Sequence, residues 1–225
     1  MDDSIIPSGS DQGTFTLADS LVTLASDVTA TAEAMRALRT YIMAQHLDKG
    51  RRALAFCAPT AGVGCTLVAA NLAVGLSQIG VKTLLVDANL RYPAIDELFV
   101  PSIPREGLVQ CLSSSREDFG DYIESDVLPN LSIVFAGGAT PNPQELLANS
   151  RFEELINFCS REFQMTILDT PPANNCSDAR RVSTVSGYSL VVSRKNKTLV
   201  KDVKTLIEQL ESERAKVVGT VMTED

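Results

Sequence analysis

A turn of small residues between a predicted strand and a predicted helix is the stretch of this sequence best suited to bind phosphate. The apolar run 53–58 predicts a buried strand, the turn extends from Pro59 to Gly64, and Thr66 begins a helical pattern. Backbone N–H groups of such a turn, and of the start of the following helix, attract phosphate oxygens. One residue departs from a standard phosphate-binding loop, because Cys65 stands where Gly-Lys-Thr or Gly-Lys-Ser carries lysine.

Two aspartates end short apolar runs further along the chain. Asp87 ends the predicted strand 83–87, and Asp169 ends the predicted strand 165–169. The carboxyl ends of parallel strands are where open α/β sheets bind ligands. We therefore predict that both aspartates are catalytic and, with the Thr66 hydroxyl, bind Mg²⁺. The alternative for Asp87 is a helix cap after the strand.

The predicted ligand of the turn is ATP or ADP. Its predicted nucleotide-binding residues are Pro59, Thr60, Ala61, Gly62, Val63, Gly64, Cys65 and Thr66.

The missing lysine lowers the phosphotransfer activity that we expect. Positive groups in comparable sites contribute roughly 10³- to 10⁵-fold to the rate of phosphoryl transfer, and a neutral thiol cannot replace them. A plain small residue in a degenerate loop is the simplest interpretation of Cys65, and a redox role is less favoured. Another cation could substitute from a predicted strand-end loop, and the candidates are Arg91, Arg194, Lys195 and Lys197.

The elements that position these residues alternate between strand and helix after residue 50. Right-handed crossovers then give an α/β fold with a mostly parallel, doubly wound sheet and helices on both faces. We predict a single domain at 27–225 after a mobile N-terminal segment at 1–26. The predicted strands are 53–58, 83–87, 131–135, 165–169, 188–193 and 216–222, and the main later helices are 144–162 and 198–212.

Composition excludes several classes of function. The 225 residues carry a net charge of −8, which argues against nonspecific binding to nucleic acid or anionic lipid. No apolar run reaches the roughly 18 residues that a membrane span needs. Five cysteines without a C-x-x-C pair indicate reduced thiols in a cytoplasmic protein. With His46 as the single histidine, a histidine-rich metal site is not expected.

The predicted helix 27–46 has a charged stripe. Glu33, Arg36 and Arg39 recur at intervals of three residues beside an apolar face. From spacing alone this stripe is a solvated surface with a weak internal ion pair.

Taken together and in order, five segments resemble the cytoplasmic kinase domain of the bacterial tyrosine kinase (BY-kinase) family. Residues 33–40 are similar to its E-x-x-R-x-x-R oligomerisation helix, and 58–66 occupy the place of its Walker A loop. Residues 84–93 resemble its distinctive Asp-Ala-Asp-Leu-Arg-x-Pro motif, 167–172 its Walker B motif, and 141–147 another family stretch. The resemblance extends over about residues 27–222.

This resemblance implies partners and a place in the cell. Glu33, Arg36 and Arg39 become predicted oligomerisation residues of a homo-oligomer. The family works with membrane polysaccharide co-polymerases in capsule and exopolysaccharide synthesis, so we expect a cytoplasmic protein held at the membrane by a separate partner chain.

Three departures from the family pattern leave nucleotide binding possible but put phosphotransfer in question. Lysine is replaced by Cys65, the second motif aspartate by Asn89, and no tyrosine follows Tyr188. Three hypotheses follow. The first is a nucleotide-binding regulator with weak or no phosphotransfer. The second is an active tyrosine kinase or ATPase with a cation from elsewhere. The third is a partitioning-type ATPase, which the Asn89-Leu-Arg-Tyr-Pro93 stretch and the acidic charge disfavour.

Overall fold

A central sheet organises the chain, which was analysed as a computed structural model that describes residues 15–24, 29–116 and 118–224. Within these residues seven strands form one sheet in the order β5-β6-β3-β7-β2-β8-β9. All neighbouring pairs are parallel except β5 and β6. The predicted mostly parallel α/β fold is confirmed. The strands are Ala53–Cys57 (β2), Thr83–Asp87 (β3), Glu124–Leu128 (β5), Leu131–Val134 (β6), Met165–Asp169 (β7), Tyr188–Arg194 (β8) and Lys216–Thr223 (β9).

Helices cover both faces of the sheet because alternate strand residues are apolar on both sides. Along β2, Ala55 packs into one core cluster and Leu54 and Phe56 into the other, and all three are fully buried. The first cluster includes side chains of α4–α8, and the second includes those of α1 and α2. The helices are Ala30–Gln45 (α1), Cys65–Ser77 (α2), Ile95–Leu98 (α3), Leu108–Ser113 (α4), Pro143–Ala148 (α5), Ser150–Glu162 (α6), Asp178–Ser186 (α7) and Val200–Ser212 (α8).

The N-terminal part differs from the prediction of a mobile segment at 1–26. Phe15–Leu17 (β1) pairs antiparallel with Phe99–Pro101 (β4), and Val22–Leu24 is a 3₁₀ helix. Leu21 is buried between them. Residues 15–24 are therefore packed on the domain, which corrects the prediction for that part. Residues 1–14 and 25–28 lie outside the described residues.

Two predicted helices have different limits in the structure. Helix α1 begins at Ala30, because the Thr29 side chain caps it by accepting a hydrogen bond from the Ala32 N–H at 3.1 Å. The predicted helix 144–162 is two helices, α5 and α6. Asn149 has an extended backbone between them, and its side chain caps α6 through the Arg151 N–H.

Strand β5 was not predicted. It lies between the predicted strands 83–87 and 131–135, and its pairing with β6 is irregular. Asp126 has a positive φ of 51°, which breaks the alternation of a regular strand. In the parts of the chain that the structure describes, no helix combines the length and the apolar character that crossing a bilayer requires.

A buried histidine at the end of α1 gives the fold a sensitivity to acid. The His46 Nε2 lies 3.1 Å from the Ala53 carbonyl oxygen, so this nitrogen carries the proton, and Nδ1 is buried without a partner. Burial and, to a smaller extent, the charge of Arg51 together lower the pKa of His46 to about 4, against the hydrogen bond to Ala53, which raises it. His46 is therefore neutral in the folded chain at neutral pH.

We predict that acid destabilises the fold through His46. In the unfolded chain His46 is protonated below its ordinary pKa of 6.5, whereas in the folded chain it stays neutral down to about pH 4. This costs about 1–2 kcal/mol of unfolding free energy between pH 7 and pH 5. Urea unfolding of wild type and His46→Phe at both pH values should show a smaller loss in the variant. An equal loss in both proteins would contradict the assignment.

Candidate functional site

The loop between β2 and α2 has the backbone geometry of a phosphate cradle. Gly62 and Gly64 both adopt left-handed conformations, with φ of 67° and 81°, which favour glycine. Gly64 is the N-cap of α2, so Cys65 and Thr66 are the first helical residues. Their N–H groups have no acceptor within the helix, and the helix dipole adds positive potential at this point. The loop can therefore bind an anion through its backbone alone.

A cavity of about 430 Å³ opens beside the loop. The predicted residues from Thr60 to Thr66 line it. Pro59 does not line the cavity. It is buried, and its carbonyl accepts a hydrogen bond from the Asn174 N–H at 3.1 Å. The prediction that Pro59 contacts nucleotide is therefore not supported by its position.

The structure brings the two predicted aspartates together beneath the loop. Strands β3 and β7 are neighbours, and Asp87 and Asp169 are paired in their register. The Thr66 hydroxyl donates to Asp169 Oδ2 at 2.6 Å. Both aspartates are almost completely buried, whereas Thr66 lines the cavity. Thr66 thus connects the cavity to the buried carboxylates, and the metal-binding and catalytic roles of the three residues stay predictions.

Asp87 also caps helix α3, which is the alternative role considered for it from the sequence. Its Oδ2 accepts hydrogen bonds from the N–H groups of Ala94 and Ile95, at 3.2 and 3.1 Å, at the start of α3. Its Oδ1 accepts from the Asn89 N–H at 3.1 Å. The Asn89 side chain in turn accepts from the Tyr92 N–H. Asp87 therefore fixes the loop after β3 in addition to any role toward a metal.

Burial dominates the electrostatics of this acidic pair. It raises the pKa of Asp169 to about 8, with a further contribution from the negative charge of Asp87. Burial likewise raises the pKa of Asp87 to about 7, against its three backbone hydrogen bonds. Within the described residues neither carboxylate forms an ion pair. The site is therefore poised to accept positive charge.

The same surroundings favour the protonated form of the Cys65 thiol. Burial of the thiol raises its pKa well above the ordinary value, and the neighbouring Asp169 charge raises it further. Because the thiolate is the reactive form of cysteine, a redox or nucleophilic role is disfavoured. Cys65 is a neutral side chain in the position of a cation.

Two polar atoms at the site lack hydrogen-bond partners and test whether Mg²⁺ and phosphate fit there. Asp169 Oδ1 and Thr60 Oγ1 are buried without a partner. Buried polar atoms in native proteins are normally paired, and carboxylate and hydroxyl oxygens are ligands that Mg²⁺ prefers. An unpaired carboxylate oxygen next to Thr66 and a left-handed glycine loop fit a magnesium nucleotide.

The four candidate cations are not equivalent. Arg91 forms a bidentate pair with Asp178, at 2.7 and 3.2 Å, and Lys195 pairs with Glu224 at 2.9 Å. The Lys197 Nζ and an Arg194 guanidinium nitrogen instead lie 3.0 and 3.2 Å from the Gly62 carbonyl oxygen. The structure thus places two of the four at the loop.

The predicted oligomerisation residues make contacts within the chain. Glu33 and Arg36 form an ion pair at 3.0 Å, and both side chains are exposed. Arg39 donates to the Gly75 carbonyl at 3.1 Å in the last turn of α2. Arg39 therefore provides a hydrogen-bond donor for a carbonyl group at the end of α2 in its own chain. An interface role for the three residues stays a prediction.

Sequence reasoning missed the residues that hold the loop from outside. The Thr223 hydroxyl donates to the Val63 carbonyl at 2.8 Å from the end of the last strand, 160 residues away. The Thr170 hydroxyl donates to the Phe56 carbonyl at 2.6 Å. Tyr92 lines the cavity with 73% of its surface exposed. Thr170 and Tyr92 lie within the motif segments 167–172 and 84–93, whereas Thr223 had no signal in the sequence.

No family model matches the chain. It is 31% identical over 192 residues to the tyrosine-protein kinase CpsD of Streptococcus agalactiae, a match that covers 85% of this chain and 82% of CpsD. The chain belongs to the bacterial tyrosine kinase family. The kinase domain of the Escherichia coli tyrosine kinase ETK has the same fold, with a TM-score of 0.83 at 28% identity over 91% of this chain and 79% of that one.

Other family members are larger than this chain. The BY-kinase relative EpsB of Ralstonia solanacearum, named a putative tyrosine-protein kinase, is 30% identical over 189 residues. That match covers 84% of this chain but only 25% of EpsB, so the chain spans about a quarter of that relative. The cell division ATPase MinD of Pyrococcus furiosus, at 20% identity and a TM-score of 0.65, shares the fold alone.

We predict that the acidic pair, Asp87 and Asp169, destabilises the metal-free protein as pH rises. The raised pKa values mean that the folded chain keeps protons which the unfolded chain loses above about pH 4. The free energy of unfolding therefore falls between about pH 4 and pH 8. Asp169→Asn removes one of these groups and should gain about 3–4 kcal/mol relative to wild type on going from pH 5 to pH 8.

The measurement is urea unfolding in EDTA at the two pH values. Asp121→Asn, a change at an exposed aspartate, is the matched control and should follow wild type. If Asp169→Asn also parallels wild type from pH 5 to pH 8, the carboxylate does not carry the proton assigned to it.

Proposed function

We propose that this chain binds Mg-ATP or Mg-ADP at residues 60–66 and regulates a membrane polysaccharide co-polymerase, with weak or no phosphotransfer. The observation that carries the proposal is the Thr66–Asp169 hydrogen bond beside an unpaired buried carboxylate oxygen. It preserves the metal-binding half of a phosphate loop in a chain without the loop lysine. Family membership and the kinase names of CpsD and EpsB support the nucleotide.

Each residue of the site has a proposed task. The N–H groups from Gly62 to Thr66 bind and orient the phosphates. The Thr66 hydroxyl, which donates its proton to Asp169, presents its lone pairs to Mg²⁺. Asp169 and Asp87 hold the negative charge beneath it. Mg²⁺ held by these residues would neutralise part of the negative charge of the phosphates.

The proposed loss of activity follows from charge at position 65. The Cys65 thiol is neutral and contributes no stabilisation to charge that develops on the transferred phosphoryl group. A regulator needs only that nucleotide binding changes the shape or assembly of the chain. The partner in that assembly is proposed to be a separate membrane chain, which would hold this cytoplasmic protein at the membrane.

An active tyrosine kinase or ATPase is the second candidate. It is favoured by one observation, the approach of Lys197 and Arg194 to the loop. The third hypothesis, a partitioning-type ATPase, has only the shared fold and is opposed by the net charge of −8.

We predict that wild type binds Mg-ADP and Mg-ATP weakly and that Cys65→Lys binds them at least tenfold more tightly, since hydrogen bonds to charged groups contribute about 1.5–3 kcal/mol. Titration calorimetry measures the affinity, and labelled ATP reports phosphotransfer to protein. Cys65→Ala is the matched control, because it removes the thiol without adding charge. Transfer by Cys65→Lys alone shows a site that lacks only its cation.

Two results would decide against parts of this proposal. Absence of binding by wild type and Cys65→Lys at millimolar nucleotide would contradict the nucleotide site. Robust transfer by wild type would favour the active kinase.

We also propose that the chain forms a homo-oligomer through α1, and predict that Glu33→Ala with Arg36→Ala shifts it toward monomer. Arg39 is kept, because it contacts the end of α2. Sedimentation velocity over a concentration series measures the shift, with Lys201→Ala on exposed α8 surface as control. A wild type that sediments as monomer throughout, or an oligomer unchanged by the double variant, would contradict an α1 interface.

A further inference from the structure

We propose that Lys197, in the turn after β8, binds the nucleotide phosphates in place of the missing loop lysine. This inference rests on the proposed nucleotide site and adds to it the source of the positive charge. The Lys197 Nζ lies 3.0 Å from the Gly62 carbonyl oxygen, and Gly62 itself lines the cavity. The amine is therefore at the loop before any ligand arrives.

The packing around Gly62 leaves room for this amine. A Cβ atom at position 62 would lie 2.6 Å from Lys197 Nζ, closer than real Cβ contacts. The left-handed φ of 67° at this residue also favours glycine. Glycine at position 62 thus permits both the loop conformation and the approach of a cation from outside the loop.

The Lys197 amine contacts a neutral group at the loop. Lys197 and Arg194 both donate to the same neutral carbonyl oxygen. Among the described residues no carboxylate forms an ion pair with Lys197. An anion bound at the loop would be attracted to the Lys197 ammonium. Nucleotide phosphates at the loop are anions of the required charge.

The turn that carries Lys197 is fixed, whereas its side chain is exposed. The Arg194 N–H donates to the Thr198 hydroxyl at 2.9 Å, and the Lys197 N–H donates to the Arg194 carbonyl. The Lys195 N–H donates to the carbonyl of Thr223, and the hydroxyl of this same threonine donates to the Val63 carbonyl of the loop. A fixed backbone with a flexible four-carbon stem lets Nζ turn from the Gly62 carbonyl toward phosphate.

The matched residue two positions earlier lacks this geometry. Lys195 is exposed on the same turn and pairs with Glu224 at 2.9 Å instead of reaching the loop. Lys195 therefore controls for the loss of one positive charge from the turn. Lys197→Arg keeps the charge and controls for side-chain length.

Calorimetry of the full chain with Mg-ATP, Mg-ADP and Mg-AMP tests the proposal. Lys197→Gln should weaken ATP and ADP roughly 10- to 100-fold, as expected for a lost hydrogen bond to a charged group, and should change AMP much less. Lys195→Gln should match wild type, and Lys197→Arg should retain most of the affinity. Thermal unfolding of each variant separates lost binding from lost folding.

A double-mutant cycle with Cys65→Lys tests whether Lys197 takes the role of the missing loop lysine or only makes a structural contact with the loop. If Lys197 replaces that lysine, Lys197→Gln costs less affinity in the Cys65→Lys background than in wild type. Equal costs in the two backgrounds, or unchanged affinity in Lys197→Gln, would overturn the inference and leave the nucleotide site standing. Binding by Cys65→Lys but not by wild type would also overturn it. Absence of binding in both would overturn the proposed function itself.

Discussion

The hydrogen bond from Thr66 to Asp169 joins the first turn of α2 to the end of β7, and the site depends on it. It links the residue that lines the cavity with a carboxylate that forms no ion pair within the described residues. A buried carboxylate without a cation is costly, which is why both strand-end aspartates have raised pKa values. The unfavourable burial of these two carboxylates lies next to the cavity, where the positive charge of a bound magnesium nucleotide would offset it.

The position of Cys65 shows how binding and catalysis can separate in this fold. Backbone N–H groups, two left-handed glycines and a hydroxyl are set by the chain path and by Thr66, and none requires residue 65 to be charged. A lysine there adds charge to the phosphates, which matters most when negative charge moves during transfer. We therefore propose that its replacement by a neutral thiol lowers the rate of phosphotransfer more than it weakens nucleotide binding. Supply of charge from the β8 turn would restore part of the affinity.

Much of this arrangement was predictable from local sequence. The strand–turn–helix order around residues 53–66 and the aspartates after two apolar runs predicted the sheet edge at which the structure places them. The periodicity of apolar residues did not predict helix limits that are set by a capping side chain, or the burial of residues that pack against distant parts of the chain. Asn149 divides a helix that was predicted to be continuous, and Leu21 is buried in a segment that was predicted to be mobile.

Long-range contacts of the loop carried no sequence signal. Thr223 and Lys197 contact Val63 and Gly62 across 160 and 135 residues. The order β7-β2-β8-β9 brings them to the loop, and that order becomes visible only in the assembled sheet. Four cations were equal candidates from sequence, and two of them proved to be held elsewhere by Asp178 and Glu224.

A crystal structure of the wild-type chain with Mg-ADP tests the central claim most directly. The account predicts the diphosphate on the N–H groups of residues 62–66, Mg²⁺ on the Thr66 hydroxyl with Asp169 behind it, and no protein cation from position 65. Nucleotide bound away from this loop, or a loop without ligand at saturating Mg-ADP, would contradict the account.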